Sequence, residues 1–295
     1  MTMTLTDYLD EHYSDGTAKI YAFEIGHYLE RIGGEAAALQ TSYGELVGYL
    51  SALRKRYDNP ATVRRILFAI KSYYRYLVLS GRRDDHPGSR LRLRDVVRDQ
   101  VQTQDLLAPN ELALLLRPRP NRYALLENRN RVIIGLLVHQ ALLVREIGAL
   151  KIGDIDLQKA TVRVPATSKT EARTLRLDAA QVMTLHAYLQ EDRASLLTEE
   201  SDHLLLTSRG TPERGEGVHY LVETLRPLLL NKRLTPTTIR QSVIAQKLAE
   251  GQGLRQVQAF AGHKKISATE AYRENNLEAL RQAVLRFHPL KNETE

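Results

Sequence analysis

Residues 261–272 read AGHKKISATEAY: a small-residue turn, a histidine, a polar stretch, and a tyrosine nine positions after the histidine. A phenol can serve as a nucleophile when other groups nearby handle charge and protons. The plain alternative is a space-filling aromatic. The chain has 14 tyrosines, and most tyrosines only pack and satisfy one hydroxyl. The company that Tyr272 keeps decides between the two.

Directly upstream, GLRQVQAFAGH (253–263) reads as a helix that runs into the turn. Before it, LTPTTIRQS (234–242) opens another helix, PTTIRQSVIAQKLAEG (236–251), and carries Arg240. Further back, ATVRVP (160–165) and RTLRLD (173–178) alternate with period two, as short β segments do. TSKTEA joins them into a hairpin with Lys169 at or near its tip. NRVIIGLLVHQALLVREIGALKIGDIDL (130–157) is a long apolar run whose end is charged. NELALLL begins a helix after Pro109, with Asn110 as the expected cap. GVHYLVETLRPLL, ISATEAYREN and LEALRQAVLRF are further helix candidates, the last with Leu277, Leu280, Val284 and Leu285 at helical spacing. The second part of the chain is therefore mainly helical with a small sheet.

The first part is helical. Residues 4–80 read as four helices, the clearest through NPATVRRILFAIKSYYRYLVLSG (59–81). Asn59 suits its cap, Pro60 its first turn and Gly81 its exit. Val63, Ile66, Leu67, Ile70, Tyr73, Tyr74 and Leu77 form a face to bury, and Arg64, Lys71 and Arg75 border it as a cationic stripe. DQVQTQDLLAPN has no helical period. The expected organisation is a helical domain at 1–96, a linker at 97–107 and a second domain at 108–295.

The totals narrow the function. The 295 residues suffice for two domains. Net charge is +7 and pI about 9.5, which points to a polyanionic partner. Residues 51–98 hold thirteen Lys or Arg against four Asp or Glu, whereas residues 1–50 hold two against eight. The positive charge is thus one block, interleaved with aromatic and apolar residues, which favours a phosphate-binding surface. A solvated helical face is the bland alternative. There are no cysteines, which excludes disulfides, thiolate metal sites and cysteine nucleophiles and fits a cytoplasmic protein. MTMTLTDYLDEHY lacks a signal-peptide pattern, and no apolar run approaches a membrane span. No metal-ligand spacing and no nucleotide-binding glycine loop is found, so no cofactor is expected.

These pieces resemble the tyrosine recombinase (phage integrase) family. AGHKKISATEAY resembles its terminal motif at Gly262, His263, Ile266, Ser267, Thr269 and Tyr272. LTPTTIRQS resembles its His-x-Leu-Arg-His-Ser/Thr motif, and LLVREIGALKIGDIDL its Thr-Gly-Leu-Arg-x-Ser-Glu-Leu block with the Asp-Ile-Asp that follows. The resemblance implies a SAM-like helical core-binding domain followed by the family's catalytic domain. It also implies duplex DNA as partner, no metal, and assembly of homo- or hetero-oligomers on DNA through a C-terminal helix. In such an enzyme a tyrosine attacks the scissile phosphate and forms a 3′-phosphotyrosyl link. Two arginines stabilise the growing charge, a hairpin lysine protonates the leaving 5′ oxygen, and histidines assist.

Carried over by position, Tyr272 is the nucleophile, Arg240 the second arginine, His263 the late histidine, Lys169 the hairpin lysine and Glu146 the supporting acid. The spacing of Lys169 from Arg173 departs slightly from the commonest pattern. Two positions depart in kind. Counting back from Glu146 and from Asp154 places the first arginine at Leu143. Arg145 is two residues on, which along a helix is about 200° and points elsewhere. Thr237 stands where a histidine is usual, and Gln241 follows Arg240 where a second histidine is common. Losing one preorganised donor to the transition-state charge costs about 10²–10³ in rate. The expectation is site-specific recombination or integration through Tyr272 with weak stand-alone cleavage. The alternative is a catalytically silent DNA-binding regulator, architectural protein or passive partner of an active recombinase. A relative of the type IB topoisomerases shares the chemistry but fits the first domain less well.

Overall fold

The computed structural model describes residues 3–94, 105–119 and 123–273. It comprises two compact units, Met1–Asp99 and Gln100–Glu295. Of the expected linker, residues 97–104 lie outside the described residues, as do residues 274–295, on which the expected C-terminal helix falls.

Among its described residues the first unit has five helices where the sequence predicts four: α1 (Leu5–His12), α2 (Asp15–Ile32), α3 (Glu35–Gln40), α4 (Tyr43–Arg56) and α5 (Pro60–Leu79). The shortest is α3. Gly33 and Gly34 adopt φ of 96° and 100°, which breaks α2 and frees the short EAAALQ segment to coil again. The reading of α5 holds in detail. The Asn59 side chain accepts from the Ala61 amide, Pro60 is the first helical residue, and Gly81 exits at φ 67°. Its apolar face is buried against α2 and α4 in a tyrosine-rich core. Tyr28 and Tyr74 are fully buried, with their hydroxyls 2.6 Å apart.

The second unit begins with α6 (Pro109–Leu115). Asn110 lies inside this helix, not at its cap: Ala108 precedes Pro109, and the Glu111 carboxylate accepts from the Ala108 amide at 2.7 Å. The long apolar run divides into α7 (Glu127–His139) and α8 (Val144–Ala149). α7 is buried on nearly all sides, which explains its lack of a polar face. Three antiparallel strands follow in the order β1 (Ile155–Asp156), β2 (Thr161–Val164) and β3 (Arg173–Arg176). The expected hairpin is β2–β3, with Val162 opposite Leu175. β1, two residues long, is too short to show a period in sequence. Next come α9 (Ala179–Ala187), α10 (Arg193–Leu196), α11 (Glu216–Thr224), α12 (Pro236–Ala249) and α13 (Leu254–Ala261), then a helical stretch at 267–273 that carries Tyr272. α7 and α12 share the core, which brings the ends of α7 and α13 and the β2–β3 loop to one place. Among the described residues no helix is long and apolar enough to cross a membrane.

Candidate active site

Arg240 sits in the first part of α12, whose N-terminus is fixed by Thr235 and Thr238 in a capping box with Pro236 at the first position. The residue is 5% exposed. Nη1 donates to the Ala141 carbonyl and Nη2 to the Ala261 carbonyl, the latter at 2.7 Å. Burial pushes its pKa down to about 10, partly offset by Glu146, so it stays charged at neutral pH. The two carbonyls come from separate segments, one just after α7 and one at the end of α13. Ala141 ends the α7 segment at φ 51°, a left-handed conformation that alanine rarely adopts. Gln140 holds this bend by donating to the Arg176 carbonyl at 2.7 Å and to Gln181 at 2.9 Å.

Glu146 is 1% exposed and gathers donors. It accepts from Arg173 Nη1 and Nη2 at 2.8 and 2.9 Å, from the Thr170 hydroxyl at 2.7 Å and from the Leu143 amide at 2.9 Å. These donors outweigh burial and hold its carboxyl below the usual range, burial itself acting upward. Its carboxylate lies 4.0 Å from Arg240 Nη1. Arg173, absent from the sequence-derived site, is thus a second buried arginine beside Arg240. Its Nε donates to the Phe260 carbonyl at 2.9 Å. The signal for it was available: in β3 the period-two face that buries Leu175 also presents Arg173, and an inward arginine needs an acid.

His263 follows Gly262, which caps α13 at φ 69°. A Cβ on Gly262 would come within 2.6 Å of Arg173 Nη1, so glycine is needed for both reasons. His263 Nδ1 is 2.9 Å from the Thr269 hydroxyl, and its ring stacks on Tyr272 with centroids 6.2 Å apart and planes 15° apart. Burial, then the charges of Arg240 and Arg173, push its pKa down to about 4. At neutral pH it is an uncharged imidazole. Tyr272 itself is half-buried and packs on the core of the second unit.

Lys169 is exposed on the β2–β3 loop, and its amide donates to the Thr167 hydroxyl at 3.2 Å. The next residue, Thr170, pairs with His263 in an isolated antiparallel bridge, and the Glu171 amide donates to the Gly262 carbonyl at 2.9 Å. Arg240, His263, Tyr272, Glu146 and the Lys169 loop therefore meet in one place.

The two departures are also located. Thr237 is exposed at the second position of α12. Leu143 is half-buried with extended backbone and is the residue before α8, not a member of it. The helical offset between positions 143 and 145 therefore does not apply. Arg145 is exposed, and its charge acts on Arg240. Among the described residues no three His, Asp or Glu side chains cluster so as to hold a metal ion.

In the first unit, Arg75 of the cationic stripe is exposed and Arg64 half-buried. Lys71, the third member of the stripe, is half-buried and engaged within the unit. Its ammonium donates to the Ser89 and Leu91 carbonyls at 3.0 and 3.2 Å, tying down the segment that leaves the unit. Burial and the nearby charges of Arg92 and Arg75 push its pKa down.

Known proteins share both sequence and fold with this chain. It is 25% identical over 287 residues to tyrosine recombinase XerC of Anoxybacillus flavithermus, covering 95% of this chain and 94% of that one. It is 25% identical over 283 residues to tyrosine recombinase XerD of Halalkalibacterium halodurans, covering 94% and 92%. Among solved structures, XerH site-specific recombinase bound to its difH substrate in a pre-cleavage complex superposes with a TM-score of 0.68 at 18% identity, covering 90% of this chain and 78% of that one. A lambda integrase dimer bound to a COC′ core site gives 0.64 at 15% identity, covering 91% and 77%. The profile of the phage integrase family matches residues 106–278, which is more than half of the sequence, and the chain belongs to that family of tyrosine recombinases.

Proposed function

We propose that this protein binds duplex DNA and carries out site-specific recombination through Tyr272, at a rate limited by the leucine at position 143. The Tyr272 oxygen attacks the scissile phosphorus, the bond to the 5′ oxygen breaks, and a 3′-phosphotyrosyl link forms. The phenolic proton passes to water, and Lys169 delivers a proton to the departing 5′ oxygen. A free 5′ hydroxyl of another strand then reverses the step. One phosphodiester is exchanged for another, so no external energy source enters.

The observation that carries this reading is the buried Arg240, held between Ala141 and Ala261 beside the stacked His263–Tyr272 pair. An arginine fixed by backbone carbonyls is preorganised for charge that develops in the transition state. Neutral His263 can donate or accept one hydrogen bond there without adding charge. Leu143 leaves one guanidinium fewer than the family pattern, which favours slow cleavage. The same leucine supports a second reading, a DNA-binding partner that is silent until an active recombinase joins it in a homo- or hetero-oligomer.

The test is a duplex nicked beside the cleavage point, so that the released strand diffuses away and adduct accumulates. Wild-type protein is expected to form a slow covalent adduct on a denaturing gel, and Tyr272→Phe none. Binding without any adduct over many hours, both alone and with Leu143→Arg, would establish the silent reading.

A further inference from the structure

An exposed lysine on a loop between two four-residue strands is poorly aimed unless something fixes the loop. The loop at residues 165–172 is fixed at Thr170, the residue after Lys169. Thr170 is 2% exposed. Its hydroxyl donates to Glu146 at 2.7 Å and, with that proton committed, accepts from the Thr167 hydroxyl at 2.8 Å. Thr167 in turn accepts from the amides of Lys169 and Thr170 at 3.2 and 3.0 Å, and its own amide donates to the Thr170 carbonyl at 2.8 Å. Lys169 therefore sits within a tight turn that Thr167 and Thr170 close, and that turn is pinned to the carboxylate that also holds Arg173. The bridge from Thr170 to His263 sets the turn against the residues around Tyr272.

We infer that Thr170 is a positioning residue: its hydroxyl, anchored on Glu146, fixes the Lys169 turn so that the ammonium meets the leaving 5′ oxygen. The inference rests on the cleavage reading above. It predicts a defect confined to leaving-group protonation. A misplacement of about 1 Å can cost as much as 10² in rate, whereas a leaving group that needs no proton is indifferent to it. A 5′-thiolate is such a group, since a thiol has a pKa near 8.5 and an alcohol one nearer that of water.

The experiment compares adduct formation on two nicked duplexes, one with the ordinary 5′ oxygen and one with sulfur bridging at that position. Both are assayed in the wild type and, for signal, in the Leu143→Arg background. Thr170→Val is expected to slow the oxygen substrate by about tenfold or more and to leave the sulfur substrate nearly unchanged. Lys169→Ala is expected to behave likewise, Thr170→Ser to restore most of the rate, and the double variant to be no slower than Lys169→Ala alone. Should Thr170→Val fold poorly, Thr167→Val removes the outer hydroxyl without touching Glu146, and the same sulfur-rescued loss is expected. Equal slowing on both substrates, or no slowing on oxygen, overturns the inference while leaving the cleavage reading intact. No adduct on either substrate in either background overturns the cleavage reading and the inference with it.

Discussion

Glu146 and Arg173 form a two-pronged ion pair of 2.8 and 2.9 Å in which both side chains are almost wholly buried. The pair joins α8 to β3, which are 27 residues apart in sequence, directly beneath Gly262. Glu146 also lies 4.0 Å from Arg240, so one buried carboxylate faces two buried guanidinium groups and the three together carry one net positive charge.

Removing Arg173 leaves the buried Glu146 carboxylate with the Thr170 hydroxyl, the Leu143 amide and a guanidinium no nearer than 4.0 Å. Arg173→Met is therefore expected to destabilise the protein by about 3–5 kcal/mol, seen as a lower melting temperature and a lower urea midpoint at unchanged slope. Glu146→Gln keeps the shape but retains only neutral acceptor capacity, so a smaller loss in the same direction is expected. Wild-type stability in Arg173→Met would contradict the buried pair.

His263 makes stability depend on pH. Its folded pKa, about 4, lies below its ordinary 6.5. Above pH 6.5 it is neutral in both states and contributes no pH dependence. As pH falls from 6.5 towards 4, the unfolded chain takes up the proton first, so folded stability declines through that window. The loss expected is about 2 kcal/mol, after allowing for solvent screening. His263→Gln should flatten the melting temperature between pH 6.5 and 4, while the fall below pH 4.5 from protonating Glu146 persists.

Lys71 and Arg75 should separate stability from DNA affinity. Lys71 donates to two carbonyls of residues 89 and 91, so Lys71→Met is expected to lower stability by about 1–2 kcal/mol. Arg75 is exposed, so Arg75→Ala is expected to leave the melting temperature unchanged. It should also reduce the salt dependence of duplex binding by about 0.9 log–log units if it meets one phosphate. A titration series at several salt concentrations distinguishes the two.

What was legible in sequence is what is local. The cap, first-turn proline and glycine exit of α5 are read within 23 residues, and Tyr272, His263 and Arg240 lie in short motifs within 33 residues of one another. What escaped depends on distant chain segments. Lys71 has the spacing of a surface stripe, and only the return of residues 89–91 shows where its ammonium goes. Arg173 is an unremarkable strand residue until α8 brings Glu146 to it. The 143–145 offset failed because the apolar run is not one helix: α7 ends at His139, α8 starts at Val144, and Leu143 between them is extended. That break is at Ala141, two positions before Leu143, where the family block has glycine.

Ala141→Gly follows from the same break. At φ 51° alanine bears a conformational cost of about 1 kcal/mol that glycine does not. The added chain entropy of glycine in the unfolded state offsets part of it. A net gain of a few tenths to about 1 kcal/mol is expected, measured by thermal denaturation. A clear loss would place the residue outside the left-handed region.

Leu143→Arg is the decisive change for catalysis. The leucine is half-buried and precedes α8, so an arginine there can extend towards solvent or a phosphate without entering the core, and little change in melting temperature is expected. Its amide, the group that donates to Glu146, is untouched by the substitution. A second guanidinium free to meet the phosphate should raise adduct formation on the nicked duplex by about 10²-fold. The gain should vanish with Tyr272→Phe. Arg145 provides the control: it is exposed and its charge already acts on Arg240. If Leu143→Arg adds little and Arg145→Ala abolishes adduct formation, Arg145 already supplies the missing charge, and the wild-type site is complete without the family's first arginine.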